Sequence, residues 1–369
     1  MQLSGEDYAA GIMNLGSDLT LRDCLIIGNH AAGGGGGIFN NAGATLTVED
    51  TTIVGNSAEG GGGLSNSGLA SFTGCTFDRN TATKHGGGII NSNLVVLNNC
   101  SLFGNSAMSG GGIRNNFGFD TLGDVMLHHC TLSGNTATEV GGGISVYPGI
   151  IIGGGEIMTT VVNSIVAGNS ASWDPNISGS ANLTSSFTSG DPMLAPAGVH
   201  GGPTKTMPPR AGSPVVDAAT GASSVTVDQR GLPRALGTAP DIGAVERQSF
   251  PILFPGLTPG GDENANGRSN FFEYAAGFDP AAAGTPVLGP LIDGQQTYVH
   301  PVRVAADDVV VTYEYSATPG ALNWEPLLES THFAFFGAGP GVGRIRLEDS
   351  FTSDKPALLL RHVFSPVVP

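Results

Sequence analysis

Apolar and polar residues alternate with a period of two in the first half of the chain, and each alternating stretch returns with the same flanks. Leu19 and Leu21, Leu46 and Val48, Val95 and Leu97, and Val125 and Leu127 are such pairs. A period of two places one set of side chains on a single strand face. After each pair comes a small residue in fixed register, at Cys24, Thr51, Cys75, Cys100, Cys130 and Ser164, and two positions later an apolar one, at Ile26, Ile53, Phe77, Leu102, Leu132 and Val166. An Asn follows at Asn29, Asn56, Asn80, Asn105, Asn135 and Asn169, then an Ala-containing stretch, a glycine run and a second Asn at Asn14, Asn40, Asn66, Asn91 and Asn115.

Self-similarity at this period is the mark of a solenoid whose units stack one coil per repeat. The glycine runs 35–37, 61–63, 86–88, 110–112 and 141–143 exclude helical repeats, because glycine is a poor helix former. They are expected to supply positive φ at turns. The fold class expected is mainly β: a right-handed parallel β-helix of about six coils over residues 1–170, about 30 Å long at roughly 4.8 Å per coil. The Asn columns are placed to form amide ladders along the stack. The start, Ala10-Gly11-Ile12-Met13-Asn14, reads as the end of a repeat, so the chain is expected to be part of a longer precursor; no signal sequence is visible in it.

The four cysteines share one register position with Thr51 and Ser164, which points to small buried side chains and free thiols rather than disulfides. The formal charge is −16 with 15 Lys and Arg, a balance that argues against a nucleic-acid partner. No apolar run is long enough for a membrane span. Nothing in the pattern calls for a second copy, so a monomer is expected.

The Phe77-x-x-Asn80 and Gly87-Gly88-Ile89 halves of the repeat resemble the repeat of chlamydial polymorphic outer membrane proteins. That resemblance covers about residues 10–170 and implies a β-helical passenger or surface protein, often adhesive. From Ala171 the period fades, and a second resemblance appears over residues 171–248. Asp191-Pro192-Met193-Leu194, Gly201-Gly202-Pro203-Thr204-Lys205-Thr206, Gly212-Ser213-Pro214-Val215-Val216-Asp217, Asp228-Gln229-Arg230-Gly231, Pro233-Arg234 and Asp241-Ile242-Gly243-Ala244-Val245-Glu246 are similar to the choice-of-anchor Q segment of bacterial surface proteins. Asp217, Asp228, Arg230, Arg234, Asp241 and Glu246 are expected to form an ion-paired, loop-rich cap over the open end of the solenoid.

Residues 249–285 begin as a Pro/Gly-rich linker and continue into Asp262-Glu263-Asn264-Ala265-Asn266-Gly267-Arg268-Ser269-Asn270-Phe271-Phe272-Glu273. This stretch fits the calcium-loop pattern D-x-[DN]-x-[DN]-G-x₅-E. Asp262, Asn264, Asn266, Asn270 and Glu273 supply side-chain oxygens, Arg268 its carbonyl, and Gly267 the sharp turn. With only two charged ligands the expected Ca²⁺ affinity is weak, of the order of 10⁻⁴–10⁻³ M. With Gly277-Phe278-Asp279-Pro280 the segment resembles dockerin-type and thrombospondin type 3 calcium repeats. Residues 286–369 alternate again at Tyr298–Val299, Val309–Tyr315, Arg344–Leu347 and Leu358–Val363, which predicts a small antiparallel β-sandwich.

Many parallel β-helices are polysaccharide lyases or hydrolases, so the outward columns were searched for clustered carboxylates. Two positions before the small residue stand Arg22, Glu49, Thr73, Asn98, His128 and Val162; one before it, Asp23, Asp50, Gly74, Asn99, His129 and Asn163. Asp23, Glu49 and Asp50 form the one acidic gathering, with Arg22 beside it. The column after it, Leu25, Thr52, Thr76, Ser101, Thr131 and Ile165, is a hydroxyl row suited to binding. The reading favoured is a non-catalytic, secreted or cell-surface adhesive scaffold. The alternatives are a pectin-lyase-like lyase or hydrolase using Asp23, Glu49 and Asp50, and a glycan-binding module along the hydroxyl row. An extracellular glycan or cell-surface ligand is the partner class.

Overall fold

The computed structural model describes residues 11–116, 123–147, 157–221, 225–234 and 236–249, together with the backbone of six strands between Thr297 and Pro366. The calcium loop at residues 262–273 lies outside the described residues.

Every strand pairing in residues 12–184 is parallel, and each strand pairs with its equivalent one coil away. Four faces result. The coil after Asn29 illustrates them: Ile38–Asn40 lies on the first face, Thr45–Glu49 on the second, Thr52–Val54 on the third and Ser57–Gly60 on the fourth. The first and second faces each hold seven strands, the third six and the fourth four. This is a parallel β-solenoid of about six coils. A shorter seventh turn, Ile177–Ser178 and Asn182–Thr184, extends the first two faces beyond the point where the sequence period fades.

The alternation predicted for the second face holds: Leu46 and Val48, Val95 and Leu97, and Val125 and Leu127 are all fully buried, and Leu19 and Leu21 of the first strand are half-buried. With Ile53, Phe77, Leu102, Leu132 and Val166 from the third face and Ile38, Leu64, Ile89, Ile113 and Ile144 from the first, they form one continuous apolar column. Side chains of adjacent coils stack like on like, so a shape suited to one coil suits the next.

Both asparagine series form ladders. Nδ2 of each donates to Oδ1 of the next in Asn29–Asn56–Asn80–Asn105–Asn135–Asn169, at 2.9–3.0 Å. The second series, Asn14–Asn40–Asn66–Asn91–Asn115, does the same at 2.8–3.1 Å. These amides are buried, and the ladder satisfies both donor and acceptor without water.

The glycine runs follow two rules rather than the one expected. Only the first glycine of each run has positive φ, as at Gly86 with φ 66°. The second is glycine for lack of space: a Cβ on Gly87 would lie 2.5 Å from the Gly111 carbonyl oxygen of the next coil. Close approach of stacked backbones therefore demands glycine even where the backbone angles do not.

All four cysteines are free. Their shared position has a hydrogen-bonding reason. Cys75 and Cys100 Sγ donate to the carbonyl two residues earlier at 3.3 Å, and Thr51 and Ser164 Oγ do the same at 2.7 Å. A small side chain with one donor can turn it back onto that carbonyl within a tight space, so Cys, Thr and Ser are interchangeable there.

The chain separates into two units, Met1–Arg247 and Gln248–Pro369. The described strands of the second unit form two three-stranded antiparallel sheets. One is built of Thr297–Pro301, Val342–Leu347 and Phe333–Gly339, the other of Glu325–Leu327, Val309–Ser316 and Leu359–Pro366. All four stretches of alternation read in this part of the sequence fall on or overlap these strands.

Candidate functional site

The outward surface of the solenoid is where chemistry or recognition has to reside, because the inward positions are committed to packing. On the second face, Arg22, Glu49, Thr73, Asn98, His128 and Val162 stand in register as the sequence places them. The next column is not strand. Asp23, Asp50, Asn99, His129 and Asn163 have φ of 46–50° and Gly74 has 68°. A left-handed position favours Asn, Asp and Gly, and this turn accounts for their recurrence there.

The acidic gathering exists, and its components are unequal. Arg22 Nε lies 2.6 Å from Glu49 Oε2 and a second guanidinium nitrogen 3.3 Å from Oε1, in an exposed bidentate pair. That hydrogen bond holds the Glu49 carboxyl below its ordinary range. Partial burial, then the charges of Asp23 and Glu49, push the Asp50 carboxyl up. Two-carboxylate hydrolysis needs a proton donor facing a free carboxylate across the substrate. Here the third acid is occupied by Arg22.

The two histidines diverge. His128 is half-buried on the second face, whereas His129 is buried in the turn, its Nε2 3.3 Å from Asn163 Nδ2. Burial, reinforced by the Arg234 charge, pushes the His129 imidazole down to about 3, which keeps it neutral.

What covers His129 is the segment expected to close the open end. Its hydrogen bonds show that it runs as a strap along the side, over the third face and the adjoining left-handed turns. Thr204 Oγ1 donates to the Gly74 carbonyl at 2.8 Å. Gln229 donates to Thr76 Oγ1 at 3.0 Å and accepts from Ser101 Oγ at 2.6 Å. The Ala244 N–H reaches Thr131 Oγ1 at 3.0 Å, and the Gly243 N–H donates to the Asn163 carbonyl at 2.8 Å. The hydroxyl row read as a binding surface is thus covered at Thr76, Ser101 and Thr131, all within 1% of full burial. The reason is complementarity: a row of hydroxyls on a flat face is what an irregular segment needs to satisfy its own polar groups. Only the first two coils of that face stay open, with Leu25 and Ile27 well exposed.

The charges of the strap pair in part: Asp228 with Arg230 and Arg234 near Glu246 are buried ion pairs, while the Asp217 and Asp241 carboxylates accept backbone N–H groups. Asp228 Oδ2 lies 3.0 Å from Arg230 Nε, with both side chains fully buried. Arg234 donates to Asn99 Oδ1 at 2.7 Å and to the Gly243 carbonyl at 3.0 Å, and lies 4.0 Å from Glu246. Asp217 and Arg247 donate backbone N–H groups to the Asp241 carboxylate, both at 2.7 Å. Burial pushes the carboxyls up, Asp241 to about 6 and Glu246 to about 8.

These shifts set a pH dependence. Both folded-state values lie above the unfolded ones, so their stabilisation is complete below about pH 4. It is lost as pH rises through 6 and 8. His129 acts oppositely: its folded value is depressed, so its contribution is present above about pH 6.5 and lost as pH falls. Between pH 6.5 and 9 only the carboxyl effect operates. The solenoid unit should therefore lose stability across that interval, at up to about 1.4 kcal/mol per pH unit for one coupled proton. Glu246→Gln should flatten the slope, as read from urea midpoints at several pH values. An unchanged slope would refute the assignment to Glu246.

Among the described residues no grouping of His, Cys, Asp and Glu is placed to hold a metal ion, and no helix is long and apolar enough to cross a membrane.

The coil that carries Cys75, Phe77, Asn80, Gly86–Gly88, Ile89 and Asn91 contains every structural device described above. Residues 74–92 match the Chlamydia polymorphic membrane protein (Chlamydia_PMP) repeat. No curated protein and no solved structure matches the chain significantly. The polymorphic-membrane-protein repeat is therefore, in this molecule, one coil of a parallel solenoid. Its signature residues are a ladder amide, a stacked aromatic and the glycines that admit the neighbouring backbone. They report architecture and leave the outward columns free to vary.

Proposed function

We propose that the chain is a secreted or surface-displayed rod that acts as an adhesive scaffold and not as a catalyst. The observation that carries this reading is the match to the polymorphic-membrane-protein repeat at residues 74–92, set within a solenoid of stacked coils. It is supported by the outward chemistry. Glu49 is neutralised by Arg22, His129 is sealed beneath the strap, and the buried carboxylates of the strap bind backbone amides and arginines. The strap is read as the choice-of-anchor Q-like part of the molecule, which locks the face of the rod ahead of whatever anchors it.

Two measurements test the proposal. Incubation with polygalacturonate, alginate and glycosaminoglycans should yield neither new reducing ends nor unsaturated products. Turnover that disappears in Asp50→Ala would overturn it in favour of a lyase or hydrolase. Protease shaving of intact producing cells should release peptides from residues 11–247; their absence from the shaved fraction and from the medium would exclude display and secretion alike.

A calcium ion held by Asp262, Asn264, Asn266, Arg268, Asn270 and Glu273 belongs to the same proposal and rests on ligand spacing alone. Millimolar calcium should raise the unfolding midpoint of the full chain, with the gain lost in Asp262→Ala. A midpoint indifferent to calcium would dismiss the site.

A further inference from the structure

The corner where the fourth face turns into the first holds a charge that no described carboxylate balances. Arg114 projects outward from the strand Ile113–Asn115, in register with Ile90 and Ser145 on the neighbouring coils. It is only 8% exposed. One terminal nitrogen donates to Ser145 Oγ at 2.6 Å and to Ser109 Oγ at 2.9 Å, and the guanidinium lies 5.4 Å from the centre of the Tyr147 ring. Its Nε is buried without a hydrogen-bond partner.

Among the described residues no carboxylate pairs with Arg114. In this it differs from the buried arginines of the strap: Arg230 lies 3.0 Å from Asp228, and Arg234 lies within the field of Asp228, Glu246 and Asp241. The nearest ion pair on the fourth face, Lys84 with Glu59 at 2.9 Å, is exposed and self-contained. His85 is in register with Ser109, and its Nδ1 is buried with no hydrogen-bond partner. Burial, then the Arg114 and Lys84 charges, hold His85 below its ordinary range, against the opposing fields of Glu139 and Glu59. A largely desolvated guanidinium with no counter-ion among the described residues is a site for an oxyanion, which a planar fork binds better than a point charge does.

The same corner carries the most exposed aromatic side chain among the described residues of the unit. Trp173 is 73% exposed and pairs with Val140, which pairs with Ser109. It therefore stands two coils along the axis from Ser109, about 10 Å at the strand spacing. An apolar ring face with one polar edge suits the face of a sugar ring.

We propose that this corner binds a uronate-bearing oligosaccharide lying along the solenoid axis. Arg114 takes a sugar carboxylate, Ser109 and Ser145 hold the guanidinium in place, and Trp173 stacks on a ring farther along the chain. This inference rests on the adhesive reading and specifies its ligand class.

The test is calorimetric titration of the full chain at low salt with tetragalacturonate, its methyl ester, a hyaluronan tetrasaccharide and a tetraglutamate peptide. At least one acidic saccharide should bind, the ester at least about tenfold more weakly than the free acid. Arg114→Met should abolish binding, Arg114→Lys should restore part of it, and Trp173→Ala should weaken the saccharides without affecting folding. Absence of saccharide binding, equal binding of the ester, or an unaffected Arg114→Met would overturn the proposal. Peptide binding as tight as the saccharide's and indifferent to Trp173→Ala would overturn the ligand class. Should Arg114→Met fail to fold, the ester comparison and Trp173→Ala still decide. Cell attachment that persists while all saccharides fail would sink this inference and leave the adhesive reading standing.

Discussion

Replacing Arg234 with Met should detach the strap from the side of the solenoid and cost about 3–5 kcal/mol. Arg234 is 1% exposed and is among the largest fully buried side chains of the unit. Its guanidinium donates to Asn99 Oδ1, to the Gly243 carbonyl and, through Nε, to the Val227 carbonyl at 3.2 Å. Methionine fills much of the same volume, so the substitution removes the donors and the charge without opening a large cavity. Asn99 Oδ1 and the Gly243 carbonyl then lose the Arg234 donor while buried, whereas Glu246 keeps the Asp241 N–H and the Val227 carbonyl keeps Asn99 Nδ2. The Asn ladders do not pass through Arg234, so the solenoid should remain folded. Hydrogen exchange should accelerate in residues 226–247 and on the newly uncovered third face at Thr76, Ser101 and Thr131, while the second face stays protected. Uniform loss of protection throughout the solenoid would show that strap and coils fold as one unit. Unchanged protection would show that the strap is held by its apolar contacts, Val215 and Ile242 against Ile165 and Ala167.

Asn80→Ala should cost about 3 kcal/mol, a large effect for the removal of so few atoms. Asn80 lies in the middle of its ladder and is fully buried. Its Nδ2 donates to Asn105 Oδ1 at 3.0 Å and to the Ile53 carbonyl at 2.9 Å, while its Oδ1 accepts from both Asn56 N and Asn56 Nδ2 at 3.0 Å. Alanine takes the side-chain partner from the buried Asn56 N–H and the Ile53 carbonyl, while Asn105 Oδ1 keeps the residue 80 N–H and Asn56 Nδ2 keeps the Ile26 carbonyl. The same change at Asn29, near one end of the ladder and 8% exposed, should cost less. The Asn80 substitution should lower the urea midpoint of the Met1–Arg247 unit several times more than Glu49→Ala, which removes an exposed pair. Equal effects would mean that the ladder contributes little beyond its packing.

The solenoid was legible because stacking is a local rule repeated. One coil lies on the next in strict register, so every coil must solve the same packing and hydrogen-bonding problem, and the solutions recur along the chain. The inward pairs, both Asn columns and the shared Cys/Thr/Ser position were all visible in this way. The left-handed turn was visible too, in the recurrence of Asp, Asn and Gly before the small residue, although its alternation with strand residues made it look like one more outward column.

The strap carried no such signal. Its side-chain hydrogen bonds to the coils reach as far as 154 positions along the chain, 128 between Gln229 and Ser101, and they occur once. A single occurrence leaves no period to read. The charges Asp228, Arg230, Arg234, Asp241 and Glu246 announced an ion-paired interior, while its location along the third face depended on where Thr76, Ser101 and Thr131 offered hydroxyls. Arg114 escaped notice for a related reason. In sequence it occupies a position held by Phe39, Ser65, Ile90 and Ser145 in other coils, and only packing reveals that it is desolvated and without a counter-ion.

The sequence by itself determined the coil: its faces, its inward stacks, its ladders and the places where only glycine fits, because each is repeated and local. Tertiary structure alone decided which outward surface remains available. It covered the hydroxyl row with the strap, tied Glu49 to Arg22 and left Arg114 largely desolvated, with no counter-ion among the described residues, in the corner of the first face. Exposure depends on what a distant segment happens to cover, and no repeat records it.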